Sequence, residues 1–215
     1  MSDDTTLKQN VLDQLNWEPS VTAAHIGVTA RDGVVTLSGH VESFMQKWAA
    51  EKAASRVKGV KAVAEELEVR LPFDIKRGDE EIAAAAMQRL SWDASVPRDA
   101  VKVKVEKGAV TLSGEVDWHY QKEAAGWDVT GLLGVLRVSN EITIKPRANA
   151  ANISENIRKA LHRLWFDPKT ITVTVDGGNI RLAGSVSDWH DRRVAEDTAW
   201  AVPGATKVGN DIVII

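Results

Sequence analysis

Two histidines of this chain, each preceded by a tryptophan, have side chains that could hold a metal ion. They occur as Trp118-His119 and Trp189-His190, and imidazole nitrogens from two segments can share a Zn²⁺ ion in a tetrahedral site. When the two segments are aligned, however, His119 falls opposite Trp189 rather than opposite His190. Histidines at non-equivalent positions are better explained as residues of the surface or of a helix start. We therefore predict no metal site.

Two serines, Ser38 and Ser113, could act as nucleophiles because each lies in the same pentapeptide, VTLSG. A third copy reads IRLAG, and its alanine, Ala183, has no hydroxyl group. A catalytic serine needs a base within hydrogen-bond reach, and no histidine and carboxylate arrangement accompanies either serine in the sequence. The chain also has no cysteine and no glycine-rich phosphate-binding loop. We predict no catalytic residue, no cofactor-binding residue, no cofactor and no enzymatic activity.

The composition predicts a globular protein and argues against several classes of partner. Hydrophobic residues make up 44% of the 215 residues and charged residues 27%, as in ordinary globular domains. The net charge of −3 argues against nucleic-acid binding, which needs a basic face. No apolar run approaches the roughly 20 residues of a transmembrane helix. The N-terminus, MSDDTTLKQN, lacks the basic and apolar regions of an export signal, so we expect a cytoplasmic location, or a periplasmic one if a signal has been removed.

The segments that carry these residues recur three times along the chain. Gly39, Gly114 and Gly184 end the three related pentapeptides, at offsets of 75 and then 70 residues, and glycines on either side follow the same offsets. The segments VAEELEV, VSNEITI and VGNDIVI close the three copies. Self-similarity of this kind indicates repeated structural units. We predict three domains, at residues 1–72, 77–146 and 152–215.

Each repeat is predicted to fold as helix–strand–strand–helix–strand. Asp32-Gly33 between two alternating apolar runs predicts a hairpin with a type I′ turn. An alanine-rich helix that ends at a glycine follows, and then a final strand. The predicted fold class is therefore α+β, with three tandem α-β-β-α-β repeats, each a three-stranded mixed sheet packed against two helices. The first helices carry the apolar stripes Leu7, Val11 and Leu15 in the first repeat and Ile153, Ile157, Leu161 and Leu164 in the third.

The position of the turn sets the register of the predicted hairpin. With Asp32-Gly33 as a two-residue loop, Ile26 faces Gly39 on the core side of the sheet. We interpret Gly39, and with it Gly114 and Gly184, as structural glycines that leave a gap where a helix or the next turn can approach closely. The same register gives the pairs Ala30–Val35, Val28–Leu37, Val105–Val110, Val103–Leu112, Val101–Gly114, Val175–Ile180, Val173–Leu182 and Ile171–Gly184.

The pattern of apolar and glycine positions resembles the BON domain family, named for bacterial osmotically induced and nodulation proteins. The resemblance rests on I-x-V-x-x-x-x-G-x-V-x-L-S-G-x-V from Ile26 to Val41, on the alanine-rich helix and on Val57-Lys-Gly-Val60 before the last strand, and it covers nearly the whole chain as three copies. It implies a link with envelope or osmotic stress and binding to phospholipid or other surfaces. Some cytoplasmic relatives are associated with potassium.

Tryptophan is the most frequent aromatic residue, since the chain has eight tryptophans but only three phenylalanines and one tyrosine. Trp17 and Trp92 occupy equivalent positions, two residues after the last core leucine of a first helix, and Trp165-Phe166 lies there in the third repeat. They are interpreted either as lids over the ends of the small cores or as exposed anchors for a partner or a lipid headgroup region. We take Trp17, Trp92 and Phe166 as the candidate contact residues.

These observations predict a non-enzymatic binding or adaptor protein, linked to osmotic or general stress, that recognises phospholipid or a protein partner. The alternative is a cytoplasmic protein that responds to a monovalent cation, namely potassium. The chain closes with an uncharged apolar run at residues 212–215, and an exposed strand edge of that kind promotes aggregation. We therefore expect the final strand to lie inside its sheet or to be covered by another repeat or by a second chain in a homo-oligomer.

Overall fold

A computed structural model describes residues 3–146, 153–164, 170–187 and 189–214. These residues form two compact units. The first extends to Arg89 and adds Lys104–Thr111 and Asp128–Ser139, and the second contains Leu90–Val103, Leu112–Trp127 and the described residues from Asn140 onward. The second repeat therefore contributes segments to both units.

The first repeat has the predicted order of elements. Helix α1 (Asp3–Trp17) is followed by the hairpin of β1 (Ile26–Arg31) and β2 (Val34–Val41), helix α2 (Phe44–Ser55) and strand β3 (Ala62–Val69). Strand β2 is central, since it pairs antiparallel with β1 and parallel with β3. Short 3₁₀ helices precede β1 (Ala23–His25) and follow β3 (Phe73–Ile75).

The other two repeats have the same order. The second contains α3 (Asp79–Trp92), β4 (Val101–Glu106), β5 (Ala109–Val116) and α4 (His119–Thr130), and its last strand is divided into β6 (Arg137–Asn140) and β7 (Thr143–Ile144). The third contains α5 (Ile153–Arg163), β8 (Ile171–Asp176), β9 (Asn179–Val186), α6 (Trp189–Trp200) and β10 (Lys207–Ile214). Strand β9 pairs antiparallel with β8 and parallel with β10. The predicted α+β class with three mixed sheets is confirmed.

The predicted core faces are present in the first and third repeats. In the first, Val11 and Leu15 of α1 and Val35 and Leu37 of β2 are fully buried, and four alanines of α2 are also buried. In the third, the stripe of α5 is buried as far as Leu161, but Leu164 is 46% exposed because it lies just beyond the end of the helix at Arg163. The prediction that Leu164 belongs to the stripe is therefore wrong.

The hairpin registers predicted for these two repeats are confirmed. Ile26 pairs with Gly39 in the first repeat, and Ile171 pairs with Gly184 in the third. Asp32 and Gly33 both have positive φ, 52° and 84°, as a type I′ turn requires. A two-residue turn and alternating apolar residues are thus sufficient to set the pairing.

The structural glycines make room for a different group from the one expected. Gly39, Gly114 and Gly184 have φ of 109°, 130° and 139°, a region that side chains rarely adopt. A Cβ atom at any of the three would overlap the carbonyl oxygen of the residue before the facing strand, which is His25, Ala100 or Thr170. The close neighbour is therefore backbone of the same hairpin, not a helix or the next turn.

The final strand lies at the edge of its sheet. The strand order β10-β9-β8 leaves β10 paired on one side only, so the expectation that it lies inside the sheet is wrong. The physical reason is that β9 pairs with both its hairpin partner and the strand that returns after α6, which makes β9 central. Val213 is 61% exposed, and Ile215 lies outside the described residues. Cover by another repeat or by a second chain stays a prediction.

No helix in the described part of the chain is both long enough and apolar enough to cross a membrane.

Candidate functional site

The two described candidate tryptophans project into solvent from the last residues of α1 and α3. The Trp17 side chain is 83% exposed and that of Trp92 is 82% exposed. The core below is already closed by Leu15 and Leu90, which are 0% and 7% exposed. The lid interpretation is therefore wrong for these two residues. Phe166, the third candidate, lies outside the described residues.

Trp17 lines a shallow groove together with two basic side chains. Arg56 and Lys58, in the loop after α2, form one part of the wall, and Asp13 of α1 contributes a carboxylate to it. The groove has a volume of about 550 Å³. An exposed indole next to guanidinium and ammonium groups can bind a surface that has both apolar and anionic components.

Each final strand carries one polar side chain that bonds the strand to the second helix of its repeat. The sequence alone suggested no role for these side chains. In the third repeat, Asn210 donates through Nδ2 to the backbone oxygen of Arg192 (3.1 Å), and its Oδ1 accepts the N–H of Ile212 (3.3 Å). In the second, Asn140 donates to the backbone oxygen of Lys122 (2.7 Å) and accepts from Ile142 (3.3 Å). The alignment of the three closing segments could have identified these residues, since they occupy the same position.

The first repeat makes the same connection with charged groups. Glu65 takes the equivalent position, and its Oε1 accepts the N–H of Leu67 (2.7 Å). The Lys47 ammonium on α2 lies 2.9 Å from Glu65 Oε2 and donates to the Leu67 backbone oxygen (2.7 Å). Each repeat therefore holds its second helix on the sheet by hydrogen bonds as well as by buried alanines.

His119 is the first residue of α4, as the helix-start interpretation predicts, but its ring is packed rather than free. It stacks on Trp200, the last residue of α6, with ring centroids 3.9 Å apart and planes 18° apart. Both residues belong to the second compact unit. Burial lowers the pKa of His119 below its ordinary value, and the nearby Glu123 carboxylate, 3.8 Å from Nε2, opposes this only in part. This contact could not be found from spacing, because the two residues come from different repeats.

The lowered pKa of His119 makes a prediction about stability and pH. The unfolded chain binds a proton at this histidine more readily than the folded chain, so the free energy of unfolding should fall as pH decreases below about 6.5. His119→Phe should reduce that loss and keep the ring stacking, since Phe44 has the equivalent position in the first repeat. Urea titrations at pH 7.5 and pH 5.5 measure the difference. An identical loss of stability in the two proteins would contradict the assignment.

The structure offers no support for the chemistry that the serines and histidines could have performed. Ser38 pairs with Gly27 on the face of the sheet opposite the core residues, and His190 is exposed. Within the described ranges, no group of three or more histidine, aspartate or glutamate side chains could hold a metal ion.

Comparisons with known proteins give one strong result. The sequence model of the BON domain matches this chain three times, at residues 3–70, 78–146 and 149–215. Osmotically-inducible protein Y of Escherichia coli (strain K12) is 34% identical over 150 residues, which are 66% of this chain and 73% of the relative.

Two solved structures align with the chain at low similarity. A structure titled as CdsD, a structural protein of the type III secretion system of Chlamydia trachomatis, is 18% identical, with 98% of this chain and 92% of the other covered and a TM-score of 0.26. The PrgH periplasmic domain is 10% identical, with 95% and 99% covered and a TM-score of 0.23.

Proposed function

Since the chain belongs to the BON domain family, as three tandem copies, we propose that it is a non-enzymatic binding protein of the osmotic stress response that attaches to phospholipid surfaces. The name of its relative, Osmotically-inducible protein Y, supports the link with osmotic stress. The observation that carries the proposal is the exposure of Trp17 beside Arg56 and Lys58.

Each part of this surface has a physical role at a membrane. An indole ring is favoured at the level of the headgroups, where its apolar body and its N–H are both satisfied. Each basic residue near an anionic leaflet contributes about 1 kcal/mol. The attraction has to be local because the whole chain carries a net charge of −3. Trp92, exposed at the equivalent position of the second repeat, supplies a second aromatic anchor.

The test is flotation of the full chain with vesicles that contain phosphatidylglycerol. Substitution of Trp17, Trp92 and Phe166 together by serine should leave the thermal midpoint unchanged and lower the partition coefficient for vesicles at least tenfold, which corresponds to about 1.4 kcal/mol. Phe73→Ser is the matched control, since Phe73 is 90% exposed elsewhere on the chain. Equal binding by the triple variant would reject the role of the aromatic residues, and absence of binding by the unmodified chain would favour a protein partner.

The basic residues are tested separately. Arg56→Gln with Lys58→Gln should weaken binding and reduce its dependence on salt, because counter-ions screen exposed charges. The control is Lys102→Gln with Lys104→Gln, which removes the same charge from exposed positions of β4. Equal loss in both double variants would mean that net charge, not the groove, drives binding.

Two related predictions stay open to experiment. The potassium-responsive alternative is tested by titration with potassium chloride against sodium chloride, and a response to both salts alike would reject it. The cellular compartment stays a prediction with two alternatives, the cytoplasm and, for a chain whose signal has been removed, the periplasm. Release of the protein by osmotic shock would identify the second.

A further inference from the structure

A pocket lined by aromatic rings and carboxylates lies in the second compact unit, between the first turn of α4 and the last turn of α6. Its volume is about 600 Å³, which is ample for a small organic group. Trp118, His119 and Tyr120 line it from α4 and the residue before it, and Trp200 lines it from α6. This pocket is distinct from the groove at Trp17.

The aromatic rings form two groups. The first is the stack of His119 on Trp200, with centroids 3.9 Å apart, and the second is the pair of Trp118 and Tyr120, with centroids 6.4 Å apart and planes 36° apart. Tyr120 is 57% exposed, so its ring is accessible to a ligand. The face of an aromatic ring has negative electrostatic potential and attracts cations.

The charged groups in the wall are both acidic. Glu123 and Asp197 contribute carboxylates, and among the residues that the structure describes no lysine or arginine lines the pocket. Their side chains are 66% and 70% exposed, and Asp197 forms a long, exposed ion pair with Arg193, at 4.0 Å. Burial lowers the pKa of His119, so its imidazole is uncharged near neutral pH. The ring therefore adds no positive charge to the pocket.

We propose that this pocket binds an alkylated ammonium cation, such as the trimethylammonium group of choline. A large, weakly hydrated cation suits aromatic faces, and recognition of quaternary ammonium groups by aromatic cages is an established use of this interaction. A small metal ion would instead need several oxygen ligands at short distances, and two exposed carboxylates do not provide them. The acidic wall also disfavours zwitterions that carry their own carboxylate, such as glycine betaine.

The first repeat shows the same interaction within the chain itself. The Lys52 ammonium lies 4.3 Å from the centroid of the Trp48 ring on α2. Trp48 aligns with Glu123 in the second repeat, and Lys52 aligns with Trp127. The second repeat thus has no lysine at the position of Lys52.

To test the proposal, the full chain is titrated with choline. Binding is measured by the change in tryptophan fluorescence and by calorimetry. We expect saturable binding of choline, at least tenfold weaker binding of 3,3-dimethylbutan-1-ol, which has the same shape without the charge, and weaker binding of glycine betaine than of choline. Equal affinity for the charged and the uncharged compound, or no saturation with choline, would overturn the proposal.

Variants locate the site. Trp200→Ala should weaken choline binding at least tenfold, whereas Phe73→Ala, which removes an exposed aromatic ring outside the pocket, should leave it unchanged. Because Trp200 also packs against the core of the third repeat, Tyr120→Ala and the double variant Glu123→Gln with Asp197→Asn provide tests at exposed side chains. Loss of binding in Phe73→Ala, or unchanged binding in all the pocket variants, would overturn the proposal.

Binding to phosphatidylcholine vesicles tests whether the cation that the pocket binds belongs to a lipid headgroup or is free in solution. Retention on phosphatidylcholine vesicles that is displaced by choline and abolished by Tyr120→Ala identifies the headgroup as the source. Saturable choline binding without such retention identifies a free cation. Retention that choline does not displace contradicts a headgroup source, and it leaves the outcome of the phosphatidylglycerol experiment unaffected.

Discussion

Replacement of Gly114 by valine is expected to lower the free energy of unfolding by about 3 kcal/mol or more, since backbone strain and overpacking each contribute about 1–3 kcal/mol. A β-branched residue cannot adopt φ of 130° without strain. Its Cβ would also overlap the Ala100 carbonyl oxygen, which accepts the N–H of Glu115 at 3.3 Å. Relief of the overlap requires the two strands to separate where they are hydrogen-bonded.

Thr111→Val is the control for that experiment. Thr111 lies in the same strand as Gly114, on the face predicted to point away from the core pairs, so valine should change the free energy of unfolding by about 0.5 kcal/mol or less. Urea titrations of both variants measure the difference. Equal, small effects would contradict the hairpin geometry. Because Gly39 and Gly184 have the same conformation, valine at those positions should have effects similar to that at Gly114.

Asn210→Leu is expected to lower the free energy of unfolding by about 2 kcal/mol, since each buried backbone group left without a partner costs about 1–3 kcal/mol. Leucine has nearly the same shape but cannot accept the N–H of Ile212 or donate to the Arg192 backbone oxygen. It also removes the 2.9 Å hydrogen bond to Glu196. The Arg192 guanidinium on α6 would still donate to the backbone oxygens of Ile212 (3.1 Å) and Asn210 (2.7 Å), so the substitution removes part of the polar connection between α6 and β10, not all of it.

Asp211→Ala tests whether the loss of stability comes from the hydrogen bonds of Asn210 or from the removal of any polar side chain in this strand. Asp211 is the next residue and pairs with Arg181 at 2.5 Å, but both side chains are more than half exposed, and such pairs contribute about 0–1 kcal/mol. Thermal or urea unfolding should therefore show a smaller change than in Asn210→Leu. Asn140→Leu should reproduce the larger effect in the second repeat. If the aspartate variant were the less stable one, the proposed role of Asn210 would be wrong.

The sequence by itself determined the features that depend on neighbouring residues. Three repeats, their order of helices and strands and the pairing of Ile26 with Gly39 all follow from local patterns, because a two-residue turn and a period of two leave one register in which apolar residues share a face. The candidate tryptophans were also recognisable, since Trp17 and Trp92 occupy equivalent positions.

The tertiary structure alone decided how separate elements meet. It placed Trp17 in solvent rather than over the core, it set a backbone carbonyl against Gly39, and it stacked His119 on Trp200. The spacing of residues along the chain does not predict such contacts, because they depend on where a helix ends relative to its core and on which helix ends come together. For the same reason the sequence identified residues able to bind a partner, whereas the arrangement of rings and carboxylates around the α4–α6 pocket emerged only when the chain was folded.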